Sequence, residues 1–116
     1  MNLFRSVQDA QLVPAGAEIC RQDEPGDTMF VVVEGTVEIS RGDKVLGNVG
    51  AGEVFGEMSM LDKTPRAATA RAKTDCRIAT LNEKRFLFMV QQTPYFALEV
   101  MRTISGRLRE RLQEKW

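Results

Sequence analysis

The sequence predicts an α+β, mainly β fold: an antiparallel, jelly-roll-like β-roll over about residues 10–82, then two C-terminal helices over about 83–92 and 94–113. Three observations predict it. Eight of the nine glycines lie at or before Gly56, where they punctuate short runs rich in valine and isoleucine; short strands broken by Gly-rich turns build rolls, sandwiches and barrels. After RIATL (77–81) the apolar period lengthens from two residues to three or four, the change from strand to helix. At 116 residues, positions 1–116 make one domain, long enough to bury a core without staples.

The elements follow in order. EICRQ (18–22) is a strand and DEPGD (23–27) the loop after it. MFVVVEG (29–35) and TVEIS (36–40) meet at Glu34-Gly35, which reads as a hairpin turn. MFVVV is nearly continuous in apolar residues and should lie deep, whereas TVEIS alternates, with one face buried and one wet. RGDK (41–44) is a second turn, followed by VLGNVG (45–50) and AGEVFGE (51–57). Past Arg66, Ala68, Ala70 and Ala72 fall on one face of a strand and Thr69, Arg71 and Lys73 on the other. Asn82 can cap a helix from Glu83 to Gln92 that buries Phe86, Met89 and Val90. Thr93-Pro94 supplies a second N-cap and a proline suited to the first helical position. The last helix carries Leu98, Met101, Ile104, Leu108 and Leu112, interrupted only by Gly106.

Composition narrows the chemistry. The chain has no histidine, which removes His-based triads, His-ligated metals and the commonest general base. No nucleophile–base pair stands out either, so an enzyme, a metal site and a cofactor are not expected. Cys20 and Cys76 lack metal-ligand spacing and read as small buried apolar residues of a reducing compartment. Neither a signal peptide nor an apolar run of about 20 residues is visible, so a soluble, cytoplasmic protein with no membrane partner is expected. The formal charge is zero overall, but residues 1–60 hold four basic and ten acidic side chains, and residues 61–116 twelve and six. That asymmetry suits an anion site in the second half, or two solvated faces that complement each other.

One stretch concentrates the functional signal: FGEMSMLDKTPRAATARA, Phe55 to Ala72. If Gly56-Glu57-Met58-Ser59 opens a helical turn, its first N–H groups are unpaired and favour an anion. Glycine at 56 lets a backbone approach closely. Arg66 offers a planar fork to phosphate oxygens. Glu57 would repel a phosphate, and makes sense only by accepting a hydrogen bond from something attached to it, such as a ribose hydroxyl. Singly, an arginine beside proline is a solvated surface residue and Gly-Glu a turn. Together they point to an anionic sugar phosphate.

This stretch resembles the phosphate-binding cassette of the cyclic nucleotide-binding domain family, which includes protein kinase A regulatory subunits, cyclic nucleotide-gated channels and the catabolite activator group. The resemblance extends through AGAEICRQDEPGDTMFVVVEGTVEI and the two helices, roughly Pro14 to Leu112. It implies a ligand set of Phe55, Gly56, Glu57, Met58, Ser59, Arg66, Ala67 and Ala68. In that set Glu57 binds the ribose 2′-hydroxyl and Arg66 the cyclic phosphate, with backbone amides at Gly56, Glu57, Met58 and Ala67 completing the cradle. Members with Thr or Ser after the phosphate arginine can bond guanine. Ala67 cannot, which favours cAMP over cGMP, although some members accept both.

The last helix resembles the family's lid. Arg107 falls where some channel-type members place an arginine over the purine; the alternative is a solvent-facing arginine among Arg102, Arg109 and Arg111. Trp116 is a further candidate for base stacking, or a frayed terminus. Leu98, Met101, Leu108 and Leu112, with Ser105 between them, fit a heptad seam for a homodimer, or else pack on the chain's own core. The helix-turn-helix of the transcription factors, a kinase-inhibitor segment and a channel helix are not seen, and the basic residues of the last helix do not make a DNA-reading element. The expectation is therefore a cyclic nucleotide sensor module whose C-terminal helix moves on binding and acts on an effector protein that the sequence does not identify. A second reading is a nucleotide-independent interaction module of the same fold, dimerising through that helix.

Overall fold

The computed structural model describes residues 10–115, so residues 1–9 and Trp116, with its candidate stacking role, lie outside the description. Eight strands and three helices run in the order β1 (Gln11–Val13), β2 (Glu18–Cys20), β3 (Thr28–Glu34), β4 (Val37–Arg41), β5 (Lys44–Val49), β6 (Val54–Phe55), α1 (Glu57–Asp62), β7 (Thr69–Ala72), β8 (Cys76–Asn82), α2 (Glu83–Gln92) and α3 (Tyr95–Lys115). The strands form two four-stranded sheets, ordered β1-β8-β3-β6 and β2-β7-β4-β5. All six pairings among the described residues are antiparallel. This is the β-roll with C-terminal helices that the glycine and valine pattern predicts.

The unbroken apolar run of β3 has a simple cause: both of its faces are covered. Met29, Val31 and Val33 join Leu81, Phe96 and Val100 in a core beneath the helices. Phe30 and Val32 point the other way, into a core between the sheets with Val37, Val49, Phe55, Ala70, Ala72 and Ile78. Successive side chains of a strand alternate in direction, so a strand walled on both sides must be apolar at every position. The alternation of β7 is as read: Ala70 and Ala72 are buried while Arg71 is exposed. The small alanines leave room in this cluster for the rings of Phe30 and Phe55, stacked 4.9 Å apart and 22° from parallel. Cys20 and Cys76 are both unpaired thiols, one half-buried and the other buried. Burial pushes the Cys20 thiol up from its ordinary range, more than the nearby Arg66 charge lowers it.

Three local expectations are corrected. Glu34-Gly35 is not a hairpin turn, because β3 pairs with β8 and β6 while β4 pairs with β5 and β7. The chain there crosses from one sheet to the other. Gly35 makes the corner at φ +94°, where a side chain would also strike the Asp75 carbonyl at 2.5 Å. The true hairpin is at Gly42-Asp43, between the paired Arg41 and Lys44. Second, Phe86, Met89 and Val90 of α2 are only half-buried, because the helix lies on the core's rim. Its Asn82 cap is as read, the side chain accepting from Arg85 N at 2.8 Å.

The third correction concerns α3. It begins at Tyr95 and runs through Gly106 without a break, opened by bonds from Phe96 N to Thr93 O and from Ala97 N to Pro94 O. The face it lays on its own core carries Phe96 and Val100, with Ile104 at the margin. Leu98, Met101, Leu108 and Leu112 are 43%, 54%, 57% and 48% exposed. They face away from that core, being rotated from Phe96 and Val100 around the helix.

Phe96 is fully buried and Leu87 is 59% exposed. Phe96→Ala is therefore expected to destabilise the fold by about 3–5 kcal/mol, and Leu87→Ala by no more than about 0.5 kcal/mol, in urea unfolding followed by circular dichroism.

Candidate functional site

Arg66 lies between α1 and β7 and is tied down at its backbone first. Its carbonyl accepts from Asp23 N at 2.8 Å and its N–H donates to Glu24 O at 2.8 Å, so the 21–27 loop holds it from both sides. Asp23 takes φ 71° there, a conformation Asp tolerates better than most residues. The side chain then runs inward and is 6% exposed. Nη1 donates to Thr28 O at 2.7 Å and to Gly56 O at 3.1 Å, and Nη2 donates to Thr28 Oγ1 at 2.9 Å. Its Cζ lies 5.0 Å from the Phe30 ring centroid, a cation–π distance. Among the described residues no carboxylate pairs with it. A buried cation with neutral partners only is an uncommon arrangement, because burying charge is costly unless an opposite charge compensates it.

The second part is the start of α1. Gly56 precedes it at φ 76°, where glycine is favoured. Space demands it too: a Cβ would stand 2.8 Å from Arg66 Nη1 and 3.1 Å from Phe30 Cδ2. The N–H groups of Glu57, Met58 and Ser59 open the helix and have no acceptor within it. Glu57 is 3% exposed. Its Oε1 accepts from Arg107 Nη1 at 2.5 Å, and Arg107 Nη2 donates to Val54 O at 2.6 Å. Glu57 Oε2 is buried with no partner among the described residues. One lone pair set of this carboxylate is thus committed to α3 and the other is free to accept.

The structure brings Gly56, Glu57, Arg66 and Arg107 into one cluster. Both terminal nitrogens of Arg107 are engaged, across 50 residues of sequence with Glu57 and across 53 with Val54, while 41% of its side chain stays exposed. Ser59 is buried at α1, and Met58 beside it is 54% exposed. Ala67 is exposed and Ala68 half-buried. Phe55 is buried, its ring in the inter-sheet core against Phe30 rather than on the surface. Sequence reading missed Gly26 and Thr28, which touch the guanidinium. A threonine opening a strand reads only as a strand former, and no spacing rule connects it to an arginine 38 residues on.

A cavity of about 370 Å³ also reaches Arg66, from the β2 side, between Glu18, Cys20, Glu24, Pro25 and Phe30. Neither Glu57 nor Arg107 lines it, and its wall carries Arg21 as well, which pairs with Glu18.

The profile of the cyclic nucleotide-binding domain matches residues 10–93. A cyclic nucleotide-gated potassium channel of Rhizobium etli is 39% identical over 97 residues, 84% of this chain and 27% of the channel. The cyclic AMP receptor protein of Thermus thermophilus is 31% identical over 115 residues, 95% of this chain and 53% of the receptor. The crystal structure of the Thermus thermophilus catabolite activator protein superposes with a TM-score of 0.79 at 28% identity, covering 98% of this chain and 61% of that one. The chain thus spans between a quarter and about half of the length of these two relatives.

Proposed function

The chain belongs to the cyclic nucleotide-binding domain family, and on that premise we propose that it is a regulatory sensor module that binds a cyclic nucleotide, cAMP in preference to cGMP. The observation that carries this reading is the buried Arg66 guanidinium with no carboxylate partner among the described residues. A cyclic phosphate supplies the missing negative charge and accepts the N–H groups that Thr28 and Gly56 leave over. Beside it, the unpartnered Oε2 of Glu57 accepts the ribose 2′-hydroxyl, which brings its own donor. The amides of Gly56, Glu57, Met58 and Ala67 complete the cradle, and Phe55, Ser59 and Ala68 shape it. Such a module binds without turnover.

Base choice rests on Ala67. A methyl group cannot bond the guanine edge as a hydroxyl would, a difference of about 1 kcal/mol. Proteins named for cAMP and for cGMP both stand among the relatives, so selectivity here is argued from the residue alone. The signal passes to α3. Because Arg107 grips the same carboxylate that receives the ribose, contact at one oxygen of Glu57 is felt at the other and thus by the helix. A ligand moves that helix only by its differential affinity for the two positions.

The exposed stripe Leu98, Met101, Leu108 and Leu112 supports a second element of the reading. With Ser105 these positions keep a spacing of 3, 4, 3 and 4, the seam of a two-stranded coiled coil. We place a second copy of this chain there. The same seam would serve a nucleotide-independent module, so nucleotide binding decides between the two readings. The proposed partners are the nucleotide, a second copy and an effector protein, in the cytoplasm, rather than DNA or a membrane. Residues 1–116 act as one domain in this reading.

Isothermal titration calorimetry with wild type is expected to give saturable cAMP binding, weaker for cGMP, with Arg66→Ala losing ~2–5 kcal/mol; unchanged affinity in that variant would refute the assignment. Glu57→Gln should bind cAMP and 2′-deoxy-cAMP almost equally, whereas wild type prefers cAMP; equal discrimination by both proteins removes Glu57 from the ribose. In sedimentation equilibrium, wild type should populate a dimer that Leu108→Glu shifts to monomer, and a monomeric wild type at high concentration counts against the seam.

A further inference from the structure

A guanidinium carries five N–H donors in a fixed plane, and at Arg66 three of them are used by the protein. Both Nη1 hydrogens go to backbone carbonyls, of Thr28 and Gly56, and one Nη2 hydrogen goes to the Thr28 hydroxyl oxygen. What remains is Nε–H and the second Nη2–H, which lie along one edge of the plane and make the side-on fork that suits a phosphate. Thr28 therefore takes the end of the guanidinium with two acceptors from one residue, its carbonyl and its hydroxyl. That double grip fixes the rotation of the plane, which a carbonyl alone would leave free to pivot.

Gly26 adds the second constraint. An ideal Cβ at Gly26 would stand 2.3 Å from Arg66 Nε and 2.6 Å from Cζ, well inside contact distance. Gly26 is not among the glycines with positive φ, so its backbone conformation is open to other residues. The three atoms nearest to such a side chain all belong to the guanidinium. With the Phe30 ring 5.0 Å away, the head group has little freedom beyond the one edge it presents.

We infer that Thr28, through its hydroxyl, and Gly26, through its missing side chain, are positioning residues that aim the free edge of Arg66 at the ligand phosphate. The inference rests on Arg66 being the phosphate ligand, as proposed above. It makes Thr28 a determinant of affinity that acts through Arg66, and it predicts that the determinant is the hydroxyl, not the shape of the side chain.

The test compares Thr28→Val, which keeps the branched shape and the carbonyl, with Thr28→Ser, which keeps the hydroxyl. Calorimetric cAMP affinity is expected to fall about tenfold in Thr28→Val, as for loss of a hydrogen bond to a charged group, and to return to within about twofold of wild type in Thr28→Ser. A purely structural role would not be confined to Arg66, so the same pair is measured on Arg66→Lys, whose ammonium has no fork to aim. There Thr28→Val should cost nothing further. Gly26→Ala should weaken cAMP binding by at least as much as Thr28→Val. Unchanged affinity in Thr28→Val, failed rescue by serine, or an equal loss on the Arg66→Lys background would overturn the role of Thr28; unchanged affinity in Gly26→Ala would overturn that of Gly26. If Arg66→Ala binds cAMP as wild type does, the sensor reading fails and this inference with it. If Arg66→Ala loses binding while Thr28→Val does not, only this inference fails.

Discussion

Taking the Arg66 charge out of water without an opposite charge costs on the order of several kcal/mol, and much of the β-roll is arranged to offset that cost. The start of β3 gives a carbonyl and a hydroxyl, the residue before α1 gives a second carbonyl, and an aromatic ring lies within cation–π reach. The 21–27 loop holds the arginine's own backbone. Each group is neutral, so the positive charge is solvated but not cancelled. An anion that arrives there completes an electrostatic arrangement that the protein has otherwise prepared, which is the general logic of a preorganised site.

A second charge pair links this arrangement to the last helix. Glu57 of α1 and Arg107 of α3 meet, the acid almost fully buried and the base 41% exposed at its side chain. The buried partner depends on the other for compensation, so α3 has an electrostatic reason to stay near the cassette as well as an apolar one through Phe96 and Val100. The apolar anchor lies in the first turns of the helix and the ionic one farther along. The distal part of the helix is therefore held to the roll by the charge pair, with Ile104 at the margin of the core.

Much of this was legible in the residues. Glycine spacing gave the roll, Asn82 gave the helix start, and Gly56 and Arg66, singled out by their types, do stand in contact. What stayed hidden had physical reasons. Glu34-Gly35 has the composition of a hairpin turn, and nothing local distinguishes a turn within one sheet from a corner between two. The α3 stripe was read from leucines, yet Phe96 and Val100 occupy the core while the leucines do not, because a helix with apolar residues on two faces does not say which face its own domain takes. The family resemblance singled out Arg107 but not its partner Glu57, since a contact across 50 residues has no periodicity. Thr28 left no trace at all: its role lies in a hydrogen bond from a side chain that local patterning never brings near it.

The doubly walled β3 has a consequence for how the chain finds its pairing. In a strand with one wet face, a slip of one residue exposes apolar side chains and is penalised strongly. In MFVVV a slip merely exchanges one set of apolar side chains for another, so hydrophobicity discriminates weakly between alignments. The alignment must be specified by features that do not repeat, and β3 has few: the Phe30 ring among the smaller side chains of the inter-sheet layer, and the Thr28 carbonyl and hydroxyl that receive Arg66. Arg66, bonded to both the carbonyl and the hydroxyl of Thr28, is thus one of the contacts that tell one alignment of the central strand from the next, beside the irregularity between Val32 and Glu34.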